Sequence, residues 1–421
     1  MLHFYHTHVA ESISQLSDST LWLDVIMQQS QHHAVIRNAL VIMSSLYKEY
    51  SQGSLGTSPY QLELINKAHK QLRLHLASRS ASVDAALICS LIFYILECLI
   101  GNTEHAIWHL DRRLTLLQHY RGESMSLDLV PGFDRLVTVL SRLDVHASIF
   151  DNERRPILRL SQPVNTAMTY GVLYVAPNSP APADLDTFER ELTMLQNAVM
   201  HHLISYAEHK KTQFDQTPLW IIEQALYLQQ EMQKLESNLE QILPSLENPR
   251  QNQHQRKILL RVEVSVFHGA LLETIDASIG ETKRSTAANR RFDIALADIR
   301  TLLPSSTTSP SSQIREFTLS TNLIAVLYYI CMKSSDREIV QYALSIMQDS
   351  LSSTRDGLWD ASMAVGVVQS LLPDMSVVSQ SDDIKLEDLG SGIVDTSGGL
   401  EEAFRQLTFK SPGPGFSGHE T

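Results

Sequence analysis

Apolar residues recur at helical spacing along most of this 421-residue chain, and this periodicity predicts an all-α protein. In one clear segment, Ile107, Leu110, Leu114 and Leu117 follow a 3-4-3 pattern that lines one face of a helix. Sustained strand-like alternation is not found in the sequence. Similar patterns predict helices at Asp18–Gln29, His32–Tyr50, Ser58–Arg79, Phe133–Asp151, Leu185–Lys211, Pro218–Ile242, Gln253–Ile279, Arg291–Leu303, Ile314–Met332 and Asp336–Ser352.

The longest apolar run, Ala85 to Ile100, predicts a buried core helix. It is shorter than the roughly 20 residues that a bilayer demands, and it contains Glu97. Gly101 should end this helix, because glycine adopts the left-handed conformation at low cost, and the next helix should fold back as a hairpin. The first residues lack the basic and apolar regions of a signal peptide. We therefore expect a soluble protein with no membrane partner.

Charge and cysteine content exclude several functional classes. The formal net charge is −13, whereas binding to nucleic-acid phosphates needs clustered Lys and Arg, so no direct nucleic-acid binding is expected. The three cysteines, Cys89, Cys98 and Cys331, cannot form a disulfide framework or a local thiolate metal cluster. This sparse cysteine use is typical of a reducing compartment.

The composition changes after Leu372. Residues 373–421 are rich in Pro, Ser, Gly and Asp and carry nine acidic and three basic residues, which gives a net charge of −6. Such a segment buries too little apolar area to offset chain entropy. The sequence predicts a helical domain at 1–372, built of packed helical hairpins, and a disordered acidic tail at 373–421.

Within this tail, residues 381–389 interleave apolar and acidic side chains, a pattern typical of activation segments that fold on a coactivator. Lys385 also lies in a hydrophobic-Lys-x-Glu pattern that resembles sumoylation sites. The alternative is a plain solubilising tail. Deletion of residues 373–421 is expected to abolish reporter activation by the DNA-tethered chain if the first interpretation holds.

Three stretches resemble motifs of one family. Residues 101–106 read Gly-Asn-Thr-Glu-His-Ala and are followed by His109-Leu110, which resembles the Gly-Asn-x-Glu-x-Ala-x-x-His-Leu signature of the fungal-specific transcription factor domain. Residues 142–150 contain Arg-Leu-Asp and Ala-Ser-Ile-Phe and are similar to a second motif of that family. Residues 355–361, Arg-Asp-Gly-Leu-Trp-Asp-Ala, resemble its Arg-Glu-Gly-x-Trp-Asp-Ser motif.

Other parts of residues 1–372 fit the same resemblance, with two departures. Phe4, His8, Trp22 and the stretch 37–40 resemble the opening helices of the domain. Asp356 and Ala361 depart conservatively from the third motif, and residues 333–336 depart from the family's Arg-Asp-Pro.

The resemblance implies a helical regulatory domain that helps to control transcription in the nucleus, often of a pathway-specific or secondary-metabolite gene cluster. In that family DNA is bound by a separate N-terminal module, in which six cysteine thiolates hold two zinc ions. No such cysteine-rich stretch occurs in these 421 residues, so we do not expect this chain itself to bind DNA.

The histidines raise the question of a metal site. His105 and His109 lie four residues apart on one helical face, but Ala106 stands where the catalytic zinc motif needs Glu, and the sequence shows no third ligand nearby. Further candidates lack a companion carboxylate or thiolate at a defined spacing, and they are expected to be surface or capping residues: His3, His6, His8, His32, His33, His201 and His202. The sequence predicts no metal site and no cofactor.

Catalytic motifs are not found either. The paired aspartates Asp382-Asp383 lie in the predicted tail, and no glycine-rich phosphate loop or nucleophile elbow occurs. We expect no catalytic residues and no enzymatic activity. Trp359 is expected to pack into the body while Asp360 forms a local cap or turn.

Ser90, Tyr94 and Glu97 form a polar stripe on the apolar helix. One interpretation is that the stripe lines a pocket for a small-molecule effector. The other, which is favoured, is that it meets solvent or forms hydrogen bonds to a neighbouring helix.

Taken together, these features favour a nuclear transcription regulator that acts through contacts with other regulators or coactivators, as a homodimer or heterodimer. The alternative is a helical scaffold or metabolite sensor with no role on DNA.

Overall fold

A computed structural model describes residues 1–15, 19–53, 59–78, 82–123, 132–151, 153–160, 162–163, 173–174, 182, 184–211, 217–242, 251–279, 286–303, 315–334 and 336–379. Within these ranges the fold is all-α, as the periodicity predicts, with packed helices and little strand. The chain opens with α1 (Leu2–Phe4), a π-helical stretch Tyr5–Val9 and α2 (Ala10–Ser14), and a second π-helical stretch, Leu21–Val25, precedes α3. The remaining helices are α3 (Ile26–His32), α4 (Ala34–Ser51), α5 (Pro59–Leu76), α6 (Val83–Ile100), α7 (Thr103–Glu123), α8 (Phe133–Phe150), α9 (Leu185–Lys211), α10 (Leu219–Ile242), α11 (Gln251–Ile279), α12 (Thr286–Leu302), α13 (Leu323–Lys333), α14 (Arg337–Asp349) and α15 (Ala361–Ser379).

Helix α6 lies in the centre of the fold. The Ser82 side chain caps its start by accepting a hydrogen bond from the Ala85 amide at 3.3 Å, and Gly101 ends it in the left-handed conformation with φ +82°. Its 18 residues have a mean hydropathy of 2.2, enough to span a membrane, but 78% of this segment is buried inside the protein. Contacts with α4 and α7 account for this burial, and the predicted hairpin of α6 and α7 is confirmed.

The buried apolar side chains form two clusters. The larger core is built mainly on α4, α6, α7, α12, α13 and α14, and the smaller core lies between α9, α10 and α11. Helix α11 contributes to both, with Val262 in the larger core and Val264 in the smaller one. Helix α11 therefore connects the two cores. Its Gly269 lets α12 approach closely, because a Cβ atom there would lie 2.6 Å from the Phe292 ring.

Short strands replace part of one predicted helix. The sequence predicts a helix at 314–332, but β3 (Glu316–Thr318) pairs in parallel with β4 (Thr354–Asp356), and α13 begins only at Leu323. The prediction is wrong for residues 315–322 because their backbone groups bond to a segment distant in sequence, as when the Gly357 amide donates to the Thr318 carbonyl at 2.8 Å. Strand β4 also pairs with β5 (Trp359–Asp360), and β1 (Gln162–Pro163) pairs with β2 (Leu173–Tyr174).

Most other predicted helix boundaries shift by no more than a few residues, and the largest shift is at the start of α12. Helix α9 has the predicted bounds, whereas α12 begins at Thr286 instead of Arg291. Helix α15 continues to Ser379, so the composition change after Leu372 does not end the helix. The remainder of the predicted tail, 380–421, lies outside the described residues.

Candidate functional site

The first and third motif stretches meet at Gly101. Arg355 of β4 lies against this glycine, where a Cβ atom would be 3.2 Å from its Nη1 atom. The same Nη1 donates to the Cys98 carbonyl at 2.7 Å, and Nη2 donates to the Asp360 carboxylate at 2.9 Å. Arg355 thus binds the C-terminal end of α6, where backbone carbonyls favour a positive charge.

The second motif stretch meets the third at Trp359. The Trp359 ring is buried and packs edge-on against Phe150 of α8, with ring centroids 5.1 Å apart. It also makes a tilted contact with Tyr328 of α13, at a centroid distance of 5.0 Å. Asp360 accepts hydrogen bonds from the Met363 amide at 3.2 Å and from the Ser362 hydroxyl at 2.6 Å, at the start of α15. Both expected roles, a packed tryptophan and a local cap, are confirmed.

Arg142 of the second motif forms a buried ion-pair network. Its guanidinium donates to Glu189 of α9 at 2.5 Å, to Glu263 of α11 at 2.6 Å and to the Ser320 carbonyl at 3.0 Å. Burial lowers the pKa of Arg142, but Glu263 and Glu189 outweigh this effect and raise it, so Arg142 stays charged. The network ties α8 to α9 and α11 in the interior.

Asp144, also in the second motif, organises the loop after α8. Its carboxylate accepts hydrogen bonds from the amides of Ile157 at 3.1 Å and Leu158 at 2.7 Å and from the Arg154 guanidinium at 2.7 Å. This carboxylate is fully enclosed by the loop that it holds, which is a structural role.

Asp356 of the third motif is buried beside the start of α13. It accepts a hydrogen bond from the Thr321 hydroxyl at 2.5 Å and from the amides of Asn322 and Leu323. Burial raises the pKa of Asp356 to about 6, even though these hydrogen bonds and the charge of Arg142 favour the ionised form.

A histidine cluster lies on the other side of α6. In the part of the chain that the structure describes, His69 of α5, Glu97 of α6 and His109 of α7 bring one ligand atom each within 4.8 Å of one another. The expectation that no third ligand lies near His109 is wrong, because two other helices supply His69 and Glu97. His105 is exposed, and its Nδ1 lies 2.7 Å from the Asn102 side-chain amide. Sequence spacing could not reveal a cluster that arises from tertiary packing.

The electrostatics of this region are set by burial. Burial and then the neighbouring His69 lower the pKa of His109 to about 3, so its imidazole is neutral at physiological pH. Arg113, one helical turn further along α7, is fully buried, and none of the described residues accepts a hydrogen bond from its guanidinium nitrogens. Burial lowers the pKa of Arg113 to about 9.

The polar stripe on α6 separates into three environments. Ser90 donates to the Ala86 carbonyl of its own helix at 2.8 Å. Tyr94 is buried beside Gly357 and lines a small cavity with Asp356 and Trp359. Glu97 faces the histidines, so the stripe does not line a single pocket.

The other histidines considered from sequence are dispersed. His3, His6 and His8 are exposed, and the His8 ring stacks on Phe4. His202 lies inside α9 and is buried, with its Nδ1 3.1 Å from the Gln224 side-chain oxygen, so the expectation of a surface or capping role is wrong for this residue. Of the remaining candidates, His32 is exposed, and His33 and His201 are half-buried.

The three cysteines are buried free thiols. Burial raises the pKa of Cys89, Cys98 and Cys331 to about 12, which leaves them protonated and unreactive. The tail hypotheses for residues 381–389 and Lys385 fall outside the described part of the chain. Comparison with protein-family models, curated proteins and solved structures found no match to this chain.

Proposed function

We propose that this chain is a regulatory protein that controls transcription in the nucleus through contacts with other regulators or coactivators. The observation that carries the proposal is the convergence of the three motif stretches. Gly101 contacts Arg355, and Phe150 contacts Trp359, although these stretches are far apart in sequence. Residues that resemble motifs of one family therefore act as one structural unit here, which supports the resemblance and the function that it implies.

The charged side chains in this unit favour a non-enzymatic role. Arg142 is neutralised by Glu189 and Glu263, and Arg355 is paired with Asp360. Catalytic acids and bases need access to a substrate, whereas Arg142 and its two carboxylate partners are buried against one another. The paired side chains of Arg355 and Asp360 are only 12% and 22% exposed. Their arrangement supports a framework that presents a surface to a partner.

The outer face of α7 offers such a surface. Trp108 is 52% exposed and Leu116 is 40% exposed, and they lie two helical turns apart. Between them, the Arg112 guanidinium lies 5.6 Å from the centroid of the Trp108 ring. Tryptophan and arginine dominate the energetics of many protein interfaces. We propose that these three side chains contact the partner regulator or coactivator.

A reporter assay tests this function. The full chain is fused to an unrelated DNA-binding module in a nuclear reporter strain, and reporter RNA is measured at matched protein levels. We expect the fusion to change transcription, and we expect Trp108→Ala with Leu116→Ala to remove the change. Leu226→Ala is the matched control, because Leu226 is similarly exposed on α10. Reporter RNA equal to that of the DNA-binding module alone would contradict the proposal.

A second candidate function, a metabolite sensor, is favoured by one cavity between the two cores. Its lining is entirely apolar: Ile149, Met200, Leu203, Val266, Phe267, Ala270, Ala325, Val326 and Tyr329. The cavity measures about 20 Å³, room for about one water molecule, so an apolar effector would have to displace lining side chains. An effector that did so would raise the melting temperature by mass action. Ala270→Leu, which fills the cavity, should remove the shift. No shift across a panel of small apolar metabolites would count against this function.

A further inference from the structure

We infer that His69, Glu97 and His109 form a binding site for a divalent transition metal ion of the zinc class. Three different helices supply the ligands, and their ligand atoms already lie within 4.8 Å of one another. Ligand atoms at the usual zinc bond lengths lie about 3.4 Å apart in a tetrahedral site. Side-chain rotations that move each ligand atom by about 1 Å would therefore bring the three atoms to the separation that a zinc ion needs.

The burial of the Glu97 carboxylate is a second observation that points to a bound cation. Glu97 is only 6% exposed, and its Oε2 atom is buried and accepts no hydrogen bond from the described residues. A buried carboxylate oxygen without a partner is costly, and a cation held between Glu97 and the two imidazoles would satisfy it.

Aromatic rings hold the two histidines in place. The Phe93 ring stacks on His69 with centroids 4.1 Å apart, and it lies 5.7 Å from His109. Trp108 packs edge-on against His109 at 5.0 Å. These ring contacts restrict the orientations of the two imidazoles, and partners that fix the orientation of a ligand support metal binding.

The ligand set selects the class of metal. Two imidazoles and one carboxylate suit Zn²⁺, Co²⁺ or Ni²⁺, whereas Ca²⁺ and Mg²⁺ prefer oxygen ligands. The Glu97 carboxylate offsets one of the two charges of the ion. Three protein ligands leave a fourth tetrahedral position for water or for a group from a partner.

Binding of an ion would connect α5 to the α6–α7 hairpin. His69 is the ligand on α5, and Glu97 and His109 lie on the two helices of the hairpin. Because the ion binds the folded arrangement of all three helices, it should raise the thermal stability of the protein.

The test is metal titration of the full chain after treatment with a chelator. Zn²⁺ binding is measured by calorimetry, and Co²⁺ is added separately because its visible absorption bands report tetrahedral coordination. We expect tight binding of one Zn²⁺ ion, Co²⁺ bands and a higher melting temperature with Zn²⁺. Glu97→Gln and His69→Gln should each weaken the tightest site at least about tenfold and remove the Co²⁺ bands.

Two control variants distinguish this site from surface binding. His105→Gln removes an exposed histidine near the cluster, and His33→Gln removes a histidine elsewhere, so both should bind Zn²⁺ like the unchanged chain. Glu97→Gln preserves the shape of the side chain, and circular dichroism confirms that each variant is folded. Equal Zn²⁺ affinity of the unchanged chain and both ligand variants would overturn the inference, as would the absence of tetrahedral Co²⁺ bands.

Discussion

Arg142 and Asp356 bring charge into the interior in different ways. Arg142 is surrounded by the carboxylates of Glu189 and Glu263, which keep it charged. Asp356 receives hydrogen bonds from the start of α13 but is buried enough for its pKa to rise to about 6. The stability of the protein should therefore depend on the charge of Arg142. The contribution of Asp356 to stability should change with pH.

Replacing Arg142 with methionine should destabilise the protein strongly. Glu189 and Glu263 would remain buried with less compensating charge, and breaking a buried ion pair in this way costs about 3–5 kcal/mol. The free energy of unfolding in urea, followed by circular dichroism, checks this value. Arg155→Met is the control: its ion pair with Glu208 is exposed, so the change should stay below about 1 kcal/mol. Equal effects of the two substitutions would contradict the role of Arg142.

Replacing Asp356 with asparagine should change the pH dependence of stability. The folded-state pKa of about 6 lies above the unfolded value of 3.8, so this group stabilises the fold below pH 3.8 and loses that contribution as the pH rises through 6. Relative to Asp356→Asn, the unchanged protein should lose about 2 kcal/mol of unfolding free energy between pH 4 and pH 7. Urea unfolding at a series of pH values measures this difference. A difference that is constant with pH would contradict the raised pKa.

At the element scale, the sequence predicts helices well where the contacts that fix them are local. The apolar period and Gly101 predict the α6–α7 hairpin, and α9 has its predicted bounds. Strand β3 was missed because its partner, β4, lies far along the chain, and no local pattern records that pairing. The contact of His69 with the α6–α7 hairpin was missed for the same reason, although Glu97 and His109 each stood out in the sequence.

Replacing Gly101 with alanine should weaken the joint between α6 and β4. The left-handed backbone disfavours alanine by about 1–2 kcal/mol, and the new methyl group would displace Arg355. The free energy of unfolding should fall by more than that of Gly53→Ala, because Gly53 shares the positive φ but has no neighbour within 4 Å. Gly366 lies on α15, and a Cβ atom there would have no neighbour within 4 Å. Gly366→Ala should therefore raise the free energy of unfolding, by about 0.5–1 kcal/mol. A smaller loss at Gly101 than at Gly53 would show that the contact with Arg355 is unimportant.

At the scale of the whole molecule, the two cores share structural elements. Helix α11 has side chains in both, and Arg142 links α8 of the larger core to α9 and α11. Side chains of α8 also reach both cores, with Val145 in the smaller and Leu143 in the larger. We predict that the two cores unfold together, in agreement with the single helical domain predicted from the sequence.

Replacing Leu271 with alanine tests this coupling. Leu271 is fully buried in the smaller core, so its truncation should cost about 2–5 kcal/mol. Hydrogen exchange as a function of denaturant should show the same loss for amides of α6 in the larger core and of α9 in the smaller one. Protection of α6 that is unaffected by the substitution would mean that the cores are independent.

Regulation of transcription is the function that we propose for this chain. The most direct measurement is rapid depletion of the protein in its source organism, followed at once by profiling of nascent RNA. We predict a prompt change in the synthesis of a limited set of transcripts, restored by the unchanged chain but not by the chain with Trp108→Ala and Leu116→Ala. Nascent RNA that is unaltered after complete depletion would contradict the proposed function.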